Sequence, residues 1–124
     1  MNRTLRSALL VLTCSLALGA PRLWAQDIAK GQRTFAACSV CHDTGAVNKQ
    51  GPGLGGVLGR KSAKAPGFRY SGAMKRAKLT WDAATLDAYL TDPQALVPGN
   101  TMPFPGLPDG ATRANLIAYL GTLK

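Results

Sequence analysis

The apolar positions of this chain recur with helical rather than strand periodicity, and no internal repeat is present. Asp27 is a suitable N-cap for a first helix, which we predict to run through Cys41. Gly31 is unfavourable inside a helix, which indicates that another helix crosses closely at this position. The apolar face of this predicted helix consists of Ile28, Gly31, Phe35 and Cys38.

The middle of the chain predicts a long loop followed by helices. Residues 43–70 hold few periodic apolar positions and many glycines and prolines, so we predict a loop there. A short helix is predicted over residues 72–78. Thr80 can cap the next helix, over residues 81–91, which stops near Pro93. The inward-facing residues of this helix are Leu86, Tyr89 and Leu90.

The C-terminal part predicts a stiff segment and then a last helix. Pro98-Gly99 and Pro103-Phe104-Pro105 flank Met102 and disfavour a helix around it. The last helix is predicted over residues 111–123. We therefore expect an all-α fold with three main helices, one short helix and long loops. The apolar stripe of the last helix consists of Leu116, Ile117, Leu120 and Leu123.

Residues 1–25 have the pattern of a secretory signal peptide rather than of structure. A positively charged start precedes an apolar run over residues 8–18, which is too short to span a bilayer comfortably. We predict cleavage after Ala25, a small residue, which leaves residues 26–124 as the mature domain. A lipid anchor on Cys14 is the weaker alternative, because apolar sequence continues beyond it.

The predicted mature chain has enough residues for one small domain with little core of its own. Twelve basic and six acidic residues remain after removal of the signal, a formal charge of +6. Nucleic-acid binding is disfavoured, because the chain is exported and lacks interleaved aromatic residues. Charge alone is compatible with a patch that steers an acidic protein partner and with a solvated face that has none. Seven basic residues crowd one stretch: Arg60, Lys61, Lys64, Arg69, Lys75, Arg76 and Lys78.

The pentapeptide Cys38-Ser39-Val40-Cys41-His42 has the pattern of a c-type haem attachment site. Thiols of Cys38 and Cys41 lie on the same side of the backbone, where each can add to a vinyl group of one porphyrin. His42 follows directly and can offer an imidazole nitrogen to the iron. It is also the only histidine in the chain.

Three other interpretations of this pentapeptide fit less well. A thioredoxin-like redox site expects a strand before the first cysteine, and no strand pattern precedes Cys38. A structural zinc site needs four ligands, whereas the predicted mature chain has two cysteines and one histidine. A plain disulfide gives His42 no role. One covalent haem c is therefore the predicted cofactor.

The sixth iron ligand separates an electron carrier from an enzyme. Methionine is usually a core-filling residue, so neither Met74 nor Met102 is a ligand by default. Met102 differs because the surrounding prolines restrict its backbone and reduce the entropy cost of holding a thioether against iron. We predict His42 and Met102 as the two axial ligands. Thioether ligation raises the reduction potential, and two protein ligands leave no position for a substrate.

Further blocks accompany the haem pentapeptide along the chain, and several blocks in order are more specific than the pentapeptide alone. With them, the chain resembles the class I, mitochondrial-type cytochromes c and their bacterial periplasmic relatives over essentially the whole mature region. The blocks are Gly31…Phe35, Gly51-Pro52, Gly59-Arg60-Lys61-Ser62, Ala65-Pro66-Gly67-Phe68-x-Tyr70, Leu79-Thr80-Trp81, Tyr89-Leu90, Pro98-Gly99-x-x-Met102 and Leu116-Ile117-Ala118-Tyr119-Leu120.

The resemblance implies roles for residues around the haem. The carbonyl of Pro52 would orient the imidazole of His42. Tyr89 would hydrogen-bond the sulfur of Met102, and Phe104 would shield the haem edge. Simple core packing is also compatible with Trp81, Tyr89 and Phe104. The residues implied to hold a buried propionate are Arg60, Tyr70 and Trp81, and those implied at the crossing of the first and last helices are Gly31 and Tyr119.

The chain also departs from the mitochondrial pattern. Met74 stands in place of a haem-pocket asparagine, which predicts a less polar pocket. The segment between His42 and Pro52 is two residues shorter. Lysines that ring the exposed haem edge in the mitochondrial proteins are largely replaced, which argues against a mitochondrial style of docking. The residues in their places are Gln94, Ala95, Thr101 and Asp109.

The resemblance implies a monomeric, soluble single-electron carrier of the Gram-negative periplasm, and not an enzyme. Its donor would be a cytochrome bc complex or a periplasmic dehydrogenase. Its acceptor would be a terminal oxidase, a reductase or a photosynthetic reaction centre, with only transient contact with membrane complexes. The alternatives are a peroxidase-like enzyme with a labile sixth ligand and a haem-storage or assembly module.

Overall fold

The computed structural model describes residues 26–124, which form an all-α fold as the sequence predicts. The predicted signal peptide over residues 1–25 and its cleavage site lie outside the described residues. Within residues 26–124, no helix is long and apolar enough to cross a membrane. The helices are α1 (Ile28–Phe35), α2 (Gly72–Ala77), α3 (Ala83–Thr91), α4 (Pro93–Leu96) and α5 (Gly110–Leu120).

Each helix begins at a polar residue whose side chain accepts a hydrogen bond from a backbone N–H in the first turn. Such hydrogen bonds lower the pKa of Asp27, Asp82 and Asp109, with the Thr112 hydroxyl the largest cause at Asp109. These carboxylates therefore stabilise the fold above their ordinary pKa of 3.8, and the contribution is lost as pH falls through the lowered folded value. The five capping residues are Asp27, Ser71, Asp82, Asp92 and Asp109.

The first and last helices cross at Gly31, as predicted. A Cβ at Gly31 would lie 2.7 Å from the carbonyl carbon of Asn115 and 2.8 Å from Cβ of Tyr119. The absence of a side chain at Gly31 therefore lets the two backbones approach. Before Gly31 in the chain, the backbone N–H of Asp27 donates to the side-chain oxygen of Asn115 at 2.8 Å. After it, the rings of Phe35 and Tyr119 pack with their centroids 5.4 Å apart.

The prediction that the first helix runs through Cys41 is wrong in its end point. Helix α1 ends at Phe35, and tight turns continue to Cys41. The N–H groups of residues 36–38 donate three rather than four residues back, which tightens the backbone after α1. At the other end, Ile28 is 48% exposed and does not belong to the buried face.

Helix α3 begins two residues later than predicted, with Asp82 rather than Thr80 as its cap. Thr80 instead forms an isolated bridge with Lys61, and the N–H of Trp81 donates to the carbonyl of Arg60 at 2.9 Å. This tertiary pairing keeps residues 80 and 81 extended, so the helix starts after them. Helix α2 ends at Ala77, one residue before its predicted end. Helix α5 begins one residue earlier than predicted, at Gly110, and ends three residues earlier, at Leu120, so Leu123 lies beyond it.

The sequence interpretation missed α4, a single turn over residues 93–96. Asp92 caps it and Pro93 occupies its first position, a combination that favours a helix start. The predicted loop over residues 43–70 is confirmed, since it contains no helix. That loop, the helices and the segments next to them contribute to a core of buried apolar residues: Phe35, Val57, Met74, Trp81, Leu86, Tyr89, Leu90, Val97, Leu116, Ile117 and Leu120.

Candidate haem-binding site

A cavity of about 260 Å³ lies against the core. It receives residues from the turns after α1, from the long loop, from α2 and α3, from the segment around Met102 and from α5. Most of the lining is apolar, with aromatic rings and aliphatic side chains on several sides. All ten predicted site residues line it: Cys38, Cys41, His42, Pro52, Arg60, Tyr70, Trp81, Tyr89, Met102 and Phe104.

The turn after α1 presents both thiols to this cavity. The N–H groups of Cys41 and His42 donate to the carbonyl of Cys38 at 3.1 and 2.9 Å, which brings the three residues onto one compact turn. The two cysteines are not joined in a disulfide. Burial raises the pKa of the Cys38 thiol, and the thiol of Cys41 lies 3.5 Å from the side-chain oxygen of Gln50.

His42 is held in one orientation. Its Nδ1 lies 2.8 Å from the carbonyl oxygen of Pro52, so the neutral ring donates Nδ1–H and carries its lone pair on Nε2. Burial lowers the pKa of His42, which favours this neutral form. The backbone of Gly51 packs against the ring, because a Cβ there would lie 2.7 Å from Nδ1. Nε2 is thus the nitrogen available to a metal.

Met102 lines the same cavity, and its sulfur lies 4.0 Å from the hydroxyl of Tyr89. Burial raises the pKa of Tyr89 to about 12, so its hydroxyl keeps the proton that it can donate to the thioether. Met74 also lines the cavity and is 8% exposed. The two methionines therefore differ in their polar contacts rather than in access to the cavity.

Sequence reasoning missed Asn100, which is buried beside the Met102 segment. Its side-chain oxygen accepts the N–H of Met102 at 2.9 Å. The sequence offered one signal for this role, a polar residue between the Pro98-Gly99 turn and Met102. Asparagine commonly hydrogen-bonds the backbone two residues further on.

Arg60 supplies a positive charge at the cavity and is half-buried. Its guanidinium donates to the carbonyls of Gly55 and Gly53, each at 3.0 Å. The third nitrogen, Nε, is buried and has no hydrogen-bond partner among the described residues. The hydroxyl of Tyr70 accepts the N–H of Ala65 at 3.1 Å, which leaves its own proton to donate.

The lining residues fit a haem c group. An apolar cavity suits the porphyrin, two thiols on one turn suit its vinyl groups, and an unpartnered Arg60 Nε suits a propionate. Trp81 packs on Tyr89 with ring centroids 5.0 Å apart and closes one side. Among residues 26–124, no three His, Cys, Asp or Glu side chains cluster to hold a metal ion, so the zinc interpretation gains no support there.

Comparisons with known proteins agree with this site. A family model described as cytochrome c matches residues 28–124. Cytochrome c2 of Rhodoblastus acidophilus is 50% identical over 102 residues, which cover 81% of this chain and 95% of that protein. Cytochrome c2 of Rhodomicrobium vannielii is 45% identical over 113 residues, with coverage of 85% and 90%.

A solved structure shows the same fold. Cytochrome cH from Methylobacterium extorquens superposes with a TM-score of 0.75 at 44% identity, covering 77% of this chain and 98% of that one. The class I resemblance, the all-α fold and the haem prediction are therefore confirmed. This chain belongs to the cytochrome c family, whose members are electron-transfer proteins, and it carries haem c covalently through Cys38 and Cys41.

Proposed function

We propose that this protein is a soluble, monomeric, single-electron carrier of the periplasm, with a haem iron held by His42 and Met102. The observation that carries the proposal is that two side chains able to ligate iron line one cavity, and each has its own orienting contact. The carbonyl of Pro52 fixes His42, and the hydroxyl of Tyr89 meets the sulfur of Met102.

The protein's contribution to electron transfer is to keep one geometry in both oxidation states. Haem supplies an iron that gains and loses a single electron. His42, through its neutral imidazole, and Met102, through its thioether, would both hold the iron, so little would rearrange and no position would open for a substrate. The thioether also favours the reduced state and raises the reduction potential.

Other lining residues would control the charge and exposure of the cofactor. Arg60, through its unpartnered buried Nε, would bind a propionate, together with Tyr70 and Trp81. The hydroxyl of Tyr89 would polarise the sulfur of Met102. Phe104, half-buried beside Met102, would shield the haem edge.

The proposed location follows from the predicted signal peptide and from the cofactor, because bacteria attach haem c outside the cytoplasm. The similarity to cytochromes c2 supports a carrier role. The donor would be a quinol-oxidising cytochrome bc complex or a periplasmic dehydrogenase. The acceptor would be a terminal oxidase, a reductase or a photosynthetic reaction centre. Each contact would be transient.

Carbon monoxide distinguishes the carrier from a peroxidase-like enzyme. With His42 and Met102 on the iron, the ferrous protein should bind carbon monoxide only negligibly at neutral pH, as followed by its Soret spectrum. The variant Met102→Ala, which opens the sixth position, should bind it readily and serves as the positive control. Ready binding by the unmodified protein would overturn the carrier proposal.

Partner docking would use the basic stretch, but with six residues rather than seven. The guanidinium of Arg60 is turned inward on two carbonyls, so it is not part of the surface charge. The remaining six side chains are on exposed residues: Lys61, Lys64, Arg69, Lys75, Arg76 and Lys78. We propose that they steer the encounter with an acidic partner.

Reversing Lys64 and Lys75 to glutamate should flatten the salt dependence of association with an acidic redox partner, measured by stopped-flow. Attraction between exposed charges fades over a Debye length of about 10 Å at 0.1 M salt, so rates should fall with salt only while the patch is intact. The reduction potential should stay nearly unchanged. Arg33→Glu with Lys124→Glu makes the same change in net charge outside the stretch and is the matched control. Equal salt slopes in both double variants would show that net charge, not this stretch, governs docking.

A further inference from the structure

The side chain of Asn100 joins the Met102 segment to α4. Its Nδ2 donates to the carbonyls of Pro93 and Val97 at 2.9 and 3.0 Å, and its Oδ1 accepts the N–H of Met102 at 2.9 Å. Asn100 is 7% exposed, so water cannot readily replace these partners. Both donor hydrogens and the acceptor of the amide are used, which fixes the orientation of the side chain.

Gln94 adds a second, outer connection to the same segment. Its Nε2 donates to the carbonyl of Asn100 at 3.0 Å, and its Oε1 accepts the N–H of Gly99 at 3.1 Å. Gly99 turns the chain here with a φ of +83°. The two amide side chains thus connect backbone groups of Gly99, Asn100 and Met102 to the short helix α4.

The chain after Met102 is anchored separately. The N–H of Leu107 donates to the carbonyl of Leu90 on α3 at 2.7 Å. Arg113 on α5 donates to the carbonyls of Leu107 and Pro108 and pairs with Asp87 at 2.8 Å. Loss of the Asn100 hydrogen bonds would therefore release the backbone before Met102, while the backbone after Met102 stays attached to α3 and α5.

We propose that Asn100, assisted by Gln94, is a positioning residue that holds the Met102 thioether toward the iron and so determines how readily an external ligand displaces it. The proposal rests on the proposed role of Met102 as the sixth ligand. A competing ligand binds only the fraction of molecules in which Met102 has moved away. Its apparent affinity therefore reports the strength of the Asn100 connection.

Titration of the ferric holoprotein with imidazole measures this fraction, with loss of the sulfur–iron absorption band as the signal. Asn100→Ala should bind imidazole about tenfold more tightly than the unmodified protein, because buried hydrogen bonds that favour the closed segment are lost. Gln94→Ala removes one exposed and one partly buried hydrogen bond and should tighten binding by a smaller factor, about twofold to threefold. Asn100→Asp keeps the acceptor for Met102 but turns an oxygen toward two carbonyls, so it should resemble Asn100→Ala.

Asn115→Ala is the matched control. It also removes an asparagine that accepts a backbone N–H, that of Asp27, but at the α1–α5 contact away from the cavity lining. It should leave the imidazole affinity unchanged even where it lowers the unfolding midpoint. The inference is overturned if Asn100→Ala and Gln94→Ala bind imidazole like the unmodified protein, or if Asn115→Ala shifts the affinity as much.

Gln94→Ala decides the outcome alone if Asn100→Ala yields no holoprotein, because Gln94 lies on the exposed surface. The starting spectrum separates the two proposals. An unmodified protein without the sulfur–iron band contradicts the assignment of Met102 as a ligand. A protein that has the band, but whose Asn100 and Gln94 variants bind imidazole normally, contradicts only the positioning role.

Discussion

Replacing Met102 by alanine should abolish the weak red-edge sulfur–iron absorption band of the ferric protein and lower its reduction potential. The thioether favours ferrous iron, and the identity of the axial ligand is among the strongest controls on haem potential. Water or hydroxide in its place favours the ferric state, so we expect a fall on the order of 100 mV. Spectroscopy of the ferric form and a spectroelectrochemical titration measure the two effects.

Met74→Ala is the matched control for this prediction. Met74 lines the same cavity and is more buried than Met102, so its truncation should destabilise the fold by about 2–5 kcal/mol. The absorption band should nevertheless remain, because we assign the ligand role to Met102, whose sulfur contacts the Tyr89 hydroxyl. A band that survives Met102→Ala and disappears with Met74→Ala would reverse the assignment.

Substituting alanine for Gly31 should destabilise the holoprotein strongly. The added Cβ would lie 2.7 and 2.8 Å from the Asn115 carbonyl carbon and the Tyr119 Cβ, and these are backbone or backbone-proximal atoms that cannot rotate away. Helices α1 and α5 would have to separate. We expect a loss of roughly 3 kcal/mol, at the upper end of overpacking effects, measured from the urea unfolding midpoint.

Gly110→Ala tests whether steric contact, rather than glycine itself, causes this loss. Gly110 begins α5, and a Cβ there meets no atom closer than 3.5 Å. Alanine should leave the free energy of unfolding unchanged or raise it by about 0.4–1 kcal/mol, because it restricts the unfolded chain. Similar unfolding midpoints for the two variants would contradict the close crossing at Gly31.

Local chemistry made the haem turn and the helix crossing predictable. The pentapeptide carries its own pattern, and Gly31 in a helical segment has few explanations other than a close neighbour. The start of α3 was less predictable, because Thr80 and Asp82 are both acceptable caps. The pairing of Thr80 with Lys61, which the sequence does not reveal, decided between them.

The sequence interpretation also differed from the structure at Arg60 and Asn100, because it could not predict where their side chains point. Arg60 belongs to a basic run in the sequence, yet its guanidinium faces inward to two carbonyls. Asn100 looks like an ordinary turn residue, and two of its three side-chain hydrogen bonds depend on where α4 lies. The first case depends on the path of an irregular loop, which brings the carbonyls of Gly53 and Gly55 to Arg60. The second depends on α4, which the sequence interpretation missed.

Because most of its aspartates cap helices, the surface of this protein can change its positive charges more readily than its negative ones. The chain has six acidic residues, all aspartate. Four cap helices, one accepts the N–H of Gly45 and one pairs with Arg113. Mutation of any of them removes a contact that organises the fold. The side chains of exposed lysines such as Lys64 and Lys75 form no hydrogen bond or ion pair among the described residues. Lineages can therefore retune recognition of a new partner by gaining or losing lysines, while the acidic positions stay under constraint from folding.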